Sequence, residues 1–97
     1  MRVIAKKTLK DYWRREPSAK AELEAWHSEA RHAGWKTPAD VKAKYGNASI
    51  LRDGRAVFNI CGNKYRLVVW VNYTYGVVYI RFIGTHREYD MIDAQTI

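Results

Sequence analysis

Arg66 and Arg81 each stand in the middle of an apolar, strand-like stretch, where charged side chains are uncommon. A guanidinium stays charged at any ordinary pH, so covering it inside a sheet costs free energy unless an anion or a hydrogen-bond acceptor meets it. Two arginines on one sheet face can hold a phosphate through charge-assisted, often bidentate contacts. The alternative interpretation is structural, with each arginine paired to Asp90 or Asp93.

A polar cluster follows the second stretch at once and contains His86, Arg87, Tyr89 and Asp90. Histidine exchanges protons near neutral pH, so His86 is a candidate general acid or base. Tyr89 is a second candidate if positive charge lies close to it. The structural alternatives are an exposed histidine at a helix start and a tyrosine that covers the core. Asp90 would orient His86 or Arg87, or form a surface ion pair.

These residue types suit the cleavage of RNA, because RNA carries its own nucleophile, the 2′-hydroxyl. The protein then needs a base for that hydroxyl, an acid for the leaving 5′-oxygen and cations for the phosphorane charge. We assign the charge-stabilising role to Arg66 and Arg81, and the proton transfers to His86 and Tyr89 with base and acid undecided. Such chemistry requires no metal and no cofactor.

The first half of the chain has the helical period of apolar residues. Arg2–Ala5 predicts a short strand, whereas Lys7–Arg15 and Ala19–Ala33 predict two amphipathic helices. A third, short helix is predicted to begin at Thr37-Pro38-Ala39-Asp40, where threonine can cap, proline suits the first helical position and aspartate can complete the cap.

The second half changes to the alternating period of strands. Turns are predicted at Asp53-Gly54, Gly62-Asn63 and Tyr75-Gly76, and a short helix near His86. They separate four predicted strands: Ser49–Arg52, Arg55–Ile60, Tyr65–Tyr73 and Val77–Ile83. The predicted fold is therefore α+β, a single domain over residues 1–97 in which N-terminal helices pack on one face of a mostly antiparallel sheet of three to five strands.

Hairpin turns of even length fix which residues share a sheet face. The predicted register sets Asn59 opposite Arg66, Val57 opposite Val68, Trp70 opposite Arg81, Asn72 opposite Tyr79, and Arg66 opposite Thr85. The face predicted to lie under the helices is apolar: Phe58, Ile60, Tyr65, Leu67, Val69, Val71, Val78, Ile80 and Phe82. The opposite face, called the polar face below, collects Asn59, Arg66, Trp70, Asn72, Tyr79 and Arg81, with Val57, Val68 and Ile83.

The polar face has the composition of a surface for single-stranded RNA. Trp70 and Tyr79 offer rings on which unstacked bases can stack, a contact worth on the order of 1–3 kcal/mol per base. The predicted RNA contacts are Asn59, Asn63, Lys64, Trp70, Tyr79 and Arg87. His27 and His32, five residues apart on one helix, are given no role.

Composition agrees with a polyanion as partner. The 97 residues carry a net charge of +7, which favours nucleic acid or an acidic protein. There is no apolar run of membrane-spanning length and no apolar segment typical of a secretory signal, so we expect a cytoplasmic protein without membrane contact. A lone cysteine, Cys61, has no partner for a disulfide, and no Cys/His spacing predicts a zinc site.

Four segments of the second half serve as motifs for comparison with known families: Val57-Phe58-Asn59-Ile60, Gly62–Leu67, Val78–Gly84 and Thr85–Asp90. In these motifs the chain resembles HigB-type toxins of the RelE/ParE superfamily. The likeness extends to Val3-Ile4-Ala5, to Leu9-Lys10-Asp11 and to the helix start at Thr37, and so covers nearly the whole chain. Gly62–Asp90 is its most specific part.

The resemblance implies a RelE-like fold and a bacterial toxin that cleaves mRNA, usually on the translating ribosome. It implies a HigA-like antitoxin with a helix-turn-helix domain, whose complex with the toxin would bind operator DNA. Arg66 and Arg81 match strand arginines that contact the scissile phosphate, and His86 and Tyr89 match the polar cluster at the end of the sheet. His86 and Tyr89 are closer in sequence than in many relatives. Contacts to ribosomal RNA would come from Lys6, Lys7, Lys10, Arg14 and Arg15.

Two other functions remain open from the sequence. A ParE-like relative would inhibit DNA gyrase by protein contact, with the same fold and no RNA chemistry. A noncatalytic RNA-binding module would also account for a sheet face with arginines and aromatic residues.

Overall fold

The computed structural model describes all 97 residues and contains one five-stranded sheet in the order β1-β5-β4-β3-β2. β1 is parallel to β5, and every other neighbouring pair is antiparallel. The strands are β1 (Arg2–Ile4), β2 (Ser49–Ile50), β3 (Arg55–Ile60), β4 (Tyr65–Asn72) and β5 (Val77–Thr85). The helices are α1 (Lys6–Arg15), α2 (Lys20–His32), α3 (Pro38–Lys44) and α4 (His86–Tyr89). The predicted α+β class is confirmed.

The helices follow the predicted pattern closely. α1 and α2 bury one apolar stripe each, and Leu9 and Leu23 are fully covered at the centres of these stripes. α3 begins with the predicted capping box, in which Thr37 Oγ1 accepts from the amide of Asp40 and Asp40 Oδ2 accepts from the amide of Thr37. All donors and acceptors of this box lie within four residues, which is why the sequence alone predicts it.

The hairpins that flank β3 have the predicted geometry. Asp53 and Gly54 have φ values of 56° and 80°, the left-handed backbone that a tight two-residue turn requires. A Cβ at Gly54 would lie 2.5 Å from the main-chain oxygen of Val71, so glycine is needed there. Between β3 and β4, Asn59 pairs with Arg66 as predicted.

The predicted register between β4 and β5 is wrong. Their loop has four residues, with Asn72 opposite Val77, so that Tyr79 rather than Arg81 lies opposite Trp70. A β-bulge between Val68 and Val69 then leaves Arg81 without a partner, and Gly84 rather than Thr85 lies opposite Arg66.

The bulge also reverses the predicted faces of the β5 side chains that follow Arg81. Phe82 was predicted for the core but lies on the polar face, packed against Val57 and Val68. Ile83, predicted for the polar face, packs against the core instead. One extra residue is enough for this exchange, because side chains alternate along a strand.

The main core lies between the helices and the apolar sheet face, where Trp26 packs edge-on against Phe58. A second, smaller cluster lies on the polar face and was not predicted. Here Ala94 is buried against Val57 and Val68, with Ile92 and Ile97 packed alongside. The segment after α4 therefore covers part of the polar face. None of the helices has the length and apolar character needed to cross a membrane.

Candidate active site

Arg66 is the one arginine of the chain that is buried, with 9% of its surface exposed. Its position on β4 places it on the polar face, where Nη1 donates to the main-chain oxygen of Tyr65 at 3.2 Å and Nη2 to Asn63 Oδ1 at 3.4 Å. Both acceptors are neutral, and no carboxylate forms an ion pair with this guanidinium. The predicted alternative, pairing with Asp90 or Asp93, is not what the structure shows.

His86 and Tyr89 are positioned by α4, which starts where β5 ends. The helix is fixed at its start by a capping box between Thr85 and Glu88. The amide of His86 also donates to the main-chain oxygen of Lys64 at 3.0 Å, which ties α4 to the turn before β4. The short helix thus has a defined position beside Arg66.

The His86 imidazole is held on one side and free on the other. Its Nδ1 lies 3.0 Å from Asp90 Oδ2, one helical turn away, so Nε2 is the nitrogen left for a substrate. The Tyr89 ring stands edge-on to the imidazole, with 6.5 Å between ring centroids. Tyr89 also packs against the cluster of Val57 and Val68, which places it on the polar face with Arg66.

One end of the sheet therefore gathers five of the predicted site residues. Their common position is the end of the sheet at the turn between β3 and β4: Asn59, Asn63, Arg66, His86 and Tyr89. Arg87 is exposed on α4 nearby. Lys64 is directed to the helix side instead, where its ammonium lies over the Tyr65 ring at 5.3 Å and donates to Ser18 Oγ at 3.3 Å.

Trp70 and Tyr79 form a second group on the polar face. Their rings are stacked, with centroids 5.0 Å apart and planes inclined by 22°. The indole Nε1 donates to the main-chain oxygen of Asp53 at 2.8 Å, which fixes its orientation. Trp70 follows Arg66 by four residues on β4, so this group begins about 13 Å along the strand.

Arg81 lies between the two groups, because the bulge places it level with Val68 and Val69 of β4, and it shares no acceptor with Arg66. It is exposed at the bulge, and its Nε donates to the main-chain oxygen of Ile97 at 3.2 Å. The same oxygen accepts from Nη1 of Arg55, a residue that sequence reasoning missed. Arg55 lies directly opposite Trp70. Arg55, Val57 and Asn59 are every second residue of β3 and therefore share the polar face, a spacing that could have identified Arg55 from the sequence.

Other reactive groups lie outside this surface. Cys61 is half-buried, and burial together with Glu22 raises the pKa of its thiol, which agrees with the structural role predicted for it. Burial and the nearby charge of Glu88 raise the pKa of Tyr12 to about 12. No group of three or more His, Cys, Asp or Glu side chains could hold a metal ion.

Comparison with known proteins gives a consistent result. Residues 19–92 match a family model described as HigB_toxin, the RelE-like toxic component of a toxin-antitoxin system. A protein of Escherichia coli K12 named mRNA interferase toxin HigB is 34% identical over 96 residues, which cover 97% of this chain and 92% of that relative. Proteins named mRNA interferase HigB from Escherichia coli O157:H7 and Shigella flexneri match to the same extent.

Proposed function

This chain belongs to the HigB family of RelE-like toxins, the toxic components of toxin-antitoxin systems, and we propose that it is an endoribonuclease that cleaves mRNA. The proposal is supported by the mRNA interferase names of three relatives that match nearly the whole chain. We further propose that residues 1–97 act as one toxin domain, and that the reaction uses neither a metal nor another cofactor.

The main support for the proposed active site is the buried guanidinium of Arg66. It has neutral acceptors only, so its positive charge is uncompensated inside the protein and available to an anion. His86 and Tyr89 lie at the same end of the polar face. A phosphodiester placed there would meet a cation and two proton-transfer groups together.

The reaction can be written from these residues. A base removes the proton of the 2′-hydroxyl, whose oxygen attacks the adjacent phosphorus, and an acid protonates the 5′-oxygen as its bond to phosphorus breaks. The products are a 2′,3′-cyclic phosphate and a 5′-hydroxyl. Arg66 would stabilise the additional negative charge of the phosphorane. His86 Nε2 and the Tyr89 hydroxyl would carry the two protons, since Asp90 occupies His86 Nδ1.

The second group would hold the RNA next to the scissile bond. The Trp70 and Tyr79 rings begin about 13 Å from Arg66, a distance that about two nucleotides of extended RNA can span. Arg81 keeps both of its Nη nitrogens for phosphate, because Nε alone is bonded to Ile97. Asn59, Asn63 and Arg87 would supply polar contacts beside the site. Lys64 would have to turn from Ser18 to reach the backbone.

The toxin family implies an antitoxin partner, and we propose a HigA-like helix-turn-helix protein whose complex with the toxin binds operator DNA. We also propose that the mRNA is cut on the translating ribosome. A toxin that acts on translating ribosomes would work in the cytoplasm.

In vitro translation of a defined mRNA, followed by primer extension, tests this function. We expect cuts within codons when the purified chain is added, and fewer or none when ribosomes are omitted. Intact mRNA together with gyrase-dependent DNA breaks would support the ParE-like alternative. Binding of RNA with neither cuts nor breaks would support a noncatalytic RNA-binding module.

A further inference from the structure

A cavity of about 500 Å³ lies between α2 and the edge of β3, next to the turn that leads into β4. β2 pairs only with Ala56 and Val57, so the edge of β3 from Phe58 to Ile60 has no neighbouring strand and lines the cavity instead. Trp26 of α2 packs edge-on against Phe58 and lines the same space. Both the volume and the aromatic lining are typical of a pocket for a small ligand.

Trp26 leaves a hydrogen bond unmade beside this cavity. The side chain is 2% exposed, and its indole Nε1 is one of only two buried side-chain polar atoms of the protein that have no partner. Nearly all buried polar groups in proteins are hydrogen-bonded, and an indole can only donate. A ligand in the cavity would therefore need an acceptor atom to complete the bonding of Trp26.

Two carboxylates line the same cavity and would need donors from a ligand. Glu22 and Glu29 are seven residues apart on α2, so they share one face of that helix. Glu22 Oε2 accepts from the amide of Cys61, and Glu29 Oε2 accepts from the hydroxyl of Tyr45. Glu29 also lies 3.8 Å from the ammonium of Lys44, whereas Glu22 has no cationic partner. Glu22 therefore holds the less neutralised of the two charges.

The cavity borders the candidate active site. Asn63 lines it and also accepts a hydrogen bond from Nη2 of Arg66 at 3.4 Å. Asn59, another lining residue, lies directly opposite Arg66 in the pair of β3 and β4. A nucleotide with its phosphate at Arg66 would thus have this cavity within reach of its own base or of a neighbouring base.

We propose that the cavity binds a guanine base of the RNA beside the scissile phosphate, an inference that rests on the proposed function for its substrate. Guanine carries two adjacent donors, N1–H and the N2 amino group, which match the two oxygens of the Glu22 carboxylate. Its O6 and N7 are acceptors, which Trp26 Nε1 needs.

Other ligands satisfy this donor and acceptor set less completely. On the pairing edges of adenine and cytosine an acceptor nitrogen stands beside the amino group, so a carboxylate would meet one donor and one repelling lone pair. The single N3–H of uracil lies between two carbonyl oxygens. The guanidinium of an arginine from a protein partner would suit the carboxylates, but it has no acceptor for the indole of Trp26.

The indole N–H signal of Trp26 in ¹⁵N NMR spectra reports on this cavity directly. The four tryptophans give four such signals, and the variant Trp26→Phe identifies the one that belongs to Trp26. The probes are single-stranded thymidine heptamers in which the central base is guanine, adenine or cytosine. They contain no 2′-hydroxyl and therefore stay intact. We expect the guanine heptamer to shift the Trp26 signal and to bind about tenfold or more tightly than the other two.

Glu22→Gln should remove the preference for guanine. The amide keeps one oxygen for the amide of Cys61 but replaces the other by a donor, so the affinities for guanine and adenine heptamers should become similar. The matched control is Glu24→Gln, which removes the same charge from an exposed, unpaired glutamate of α2 that does not line the cavity, and it should keep the preference. Amide spectra of both variants check the fold.

Any of three results would overturn the proposal. The first is equal affinity of the wild type for the guanine and adenine heptamers, and the second is an equal loss of preference in both glutamine variants. The third is a Trp26 signal that moves with GMP or with argininamide but not with the guanine heptamer, which would assign the cavity to a free nucleotide or to an arginine. Since none of these measurements involves a cut, their outcome is independent of whether the chain cleaves RNA.

Discussion

Arg66 lies directly opposite Gly84 in the antiparallel pair of β4 and β5. The buried arginine of the polar face thus faces a residue without a side chain, which leaves its guanidinium room above the neighbouring strand. A Cβ at Gly84 would lie 2.6 Å from Phe82 Cζ and 3.1 Å from Glu88 Oε1, the carboxylate that caps α4. Gly84 therefore contacts both sides of the candidate site: it lies opposite Arg66 and beside the Glu88 carboxylate that caps the helix carrying His86.

We predict that Gly84→Ala destabilises the protein and lowers cleavage together. The added methyl must displace Phe82 or the Glu88 cap, and such overpacking costs about 1–3 kcal/mol. Urea unfolding measures the loss of stability, and primer extension measures cleavage at a temperature where both proteins are folded. Gly34→Ala is the control, because a Cβ there meets no atom within 4 Å. Equal stability of the Gly84 and Gly34 variants would contradict the packing argument.

Arg55 and Arg81 form a natural pair of variants. Each donates to the main-chain oxygen of Ile97, so each alanine variant should lose about 1 kcal/mol of unfolding free energy. Of these two variants, we expect only Arg81→Ala to abolish cleavage with the fold intact, because Arg81 is assigned to a phosphate of the RNA and Arg55 is not. Full cleavage activity in Arg81→Ala, or equal losses in both variants, would show that Arg81 serves only to hold the C-terminal segment.

A substrate change tests the proposed nucleophile. We predict that a single 2′-O-methyl group on the nucleotide preceding a mapped cut abolishes that cut, because the oxygen can no longer be deprotonated for attack. Cuts elsewhere in the same mRNA act as the internal control. Persistence of the modified cut would mean that water attacks the phosphate, and His86 and Tyr89 would then need other roles.

The pH dependence of stability is expected to report on His27. The pKa of His27 is lowered in the folded protein from its ordinary value of 6.5, so the unfolded chain takes up the proton first as the pH falls. The unfolding free energy should therefore decrease as the pH falls from about 6.5 towards the folded-state pKa. Urea unfolding at several pH values should show this decrease in the wild type and in His32→Gln, and less of it in His27→Gln. An identical decrease in all three proteins would show that the titration of His27 does not cause it.

The parts of the fold that were predicted correctly depend on neighbours in sequence. The capping box at Thr37 and the turn at Asp53-Gly54 each complete their hydrogen bonds or backbone geometry within a few residues. The β-bulge at Arg81 has no such local signal, because an extra residue is tolerated only where the neighbouring strand and the core permit it. This is why the register beyond the bulge, and with it the faces of Phe82 and Ile83, could not be predicted.

In the candidate site, too, the features with a local sequence signal were predicted and those without one were not. The resemblance carried by Gly62–Asp90 predicted the HigB-type family, which the comparisons confirm. The strand position of Arg66 also predicted its place on the polar face. By contrast, the cover formed by Ala94 and Ile97 has neither a helical nor a strand period, so the contact between Ile97 and Arg81 was not foreseen. The individual roles of Arg66, Arg81, His86 and Tyr89 stay predictions.

Cleavage of a defined mRNA by the wild type and by Arg66→Ala tests the central claim most directly. Primer extension during in vitro translation should show cuts with the wild type, and a rate at least about 100-fold lower with Arg66→Ala, because one preorganised donor to the phosphorane charge is lost. Circular dichroism and thermal unfolding must show that the variant is folded at the assay temperature. The same cuts at an undiminished rate in a folded Arg66→Ala would contradict the account.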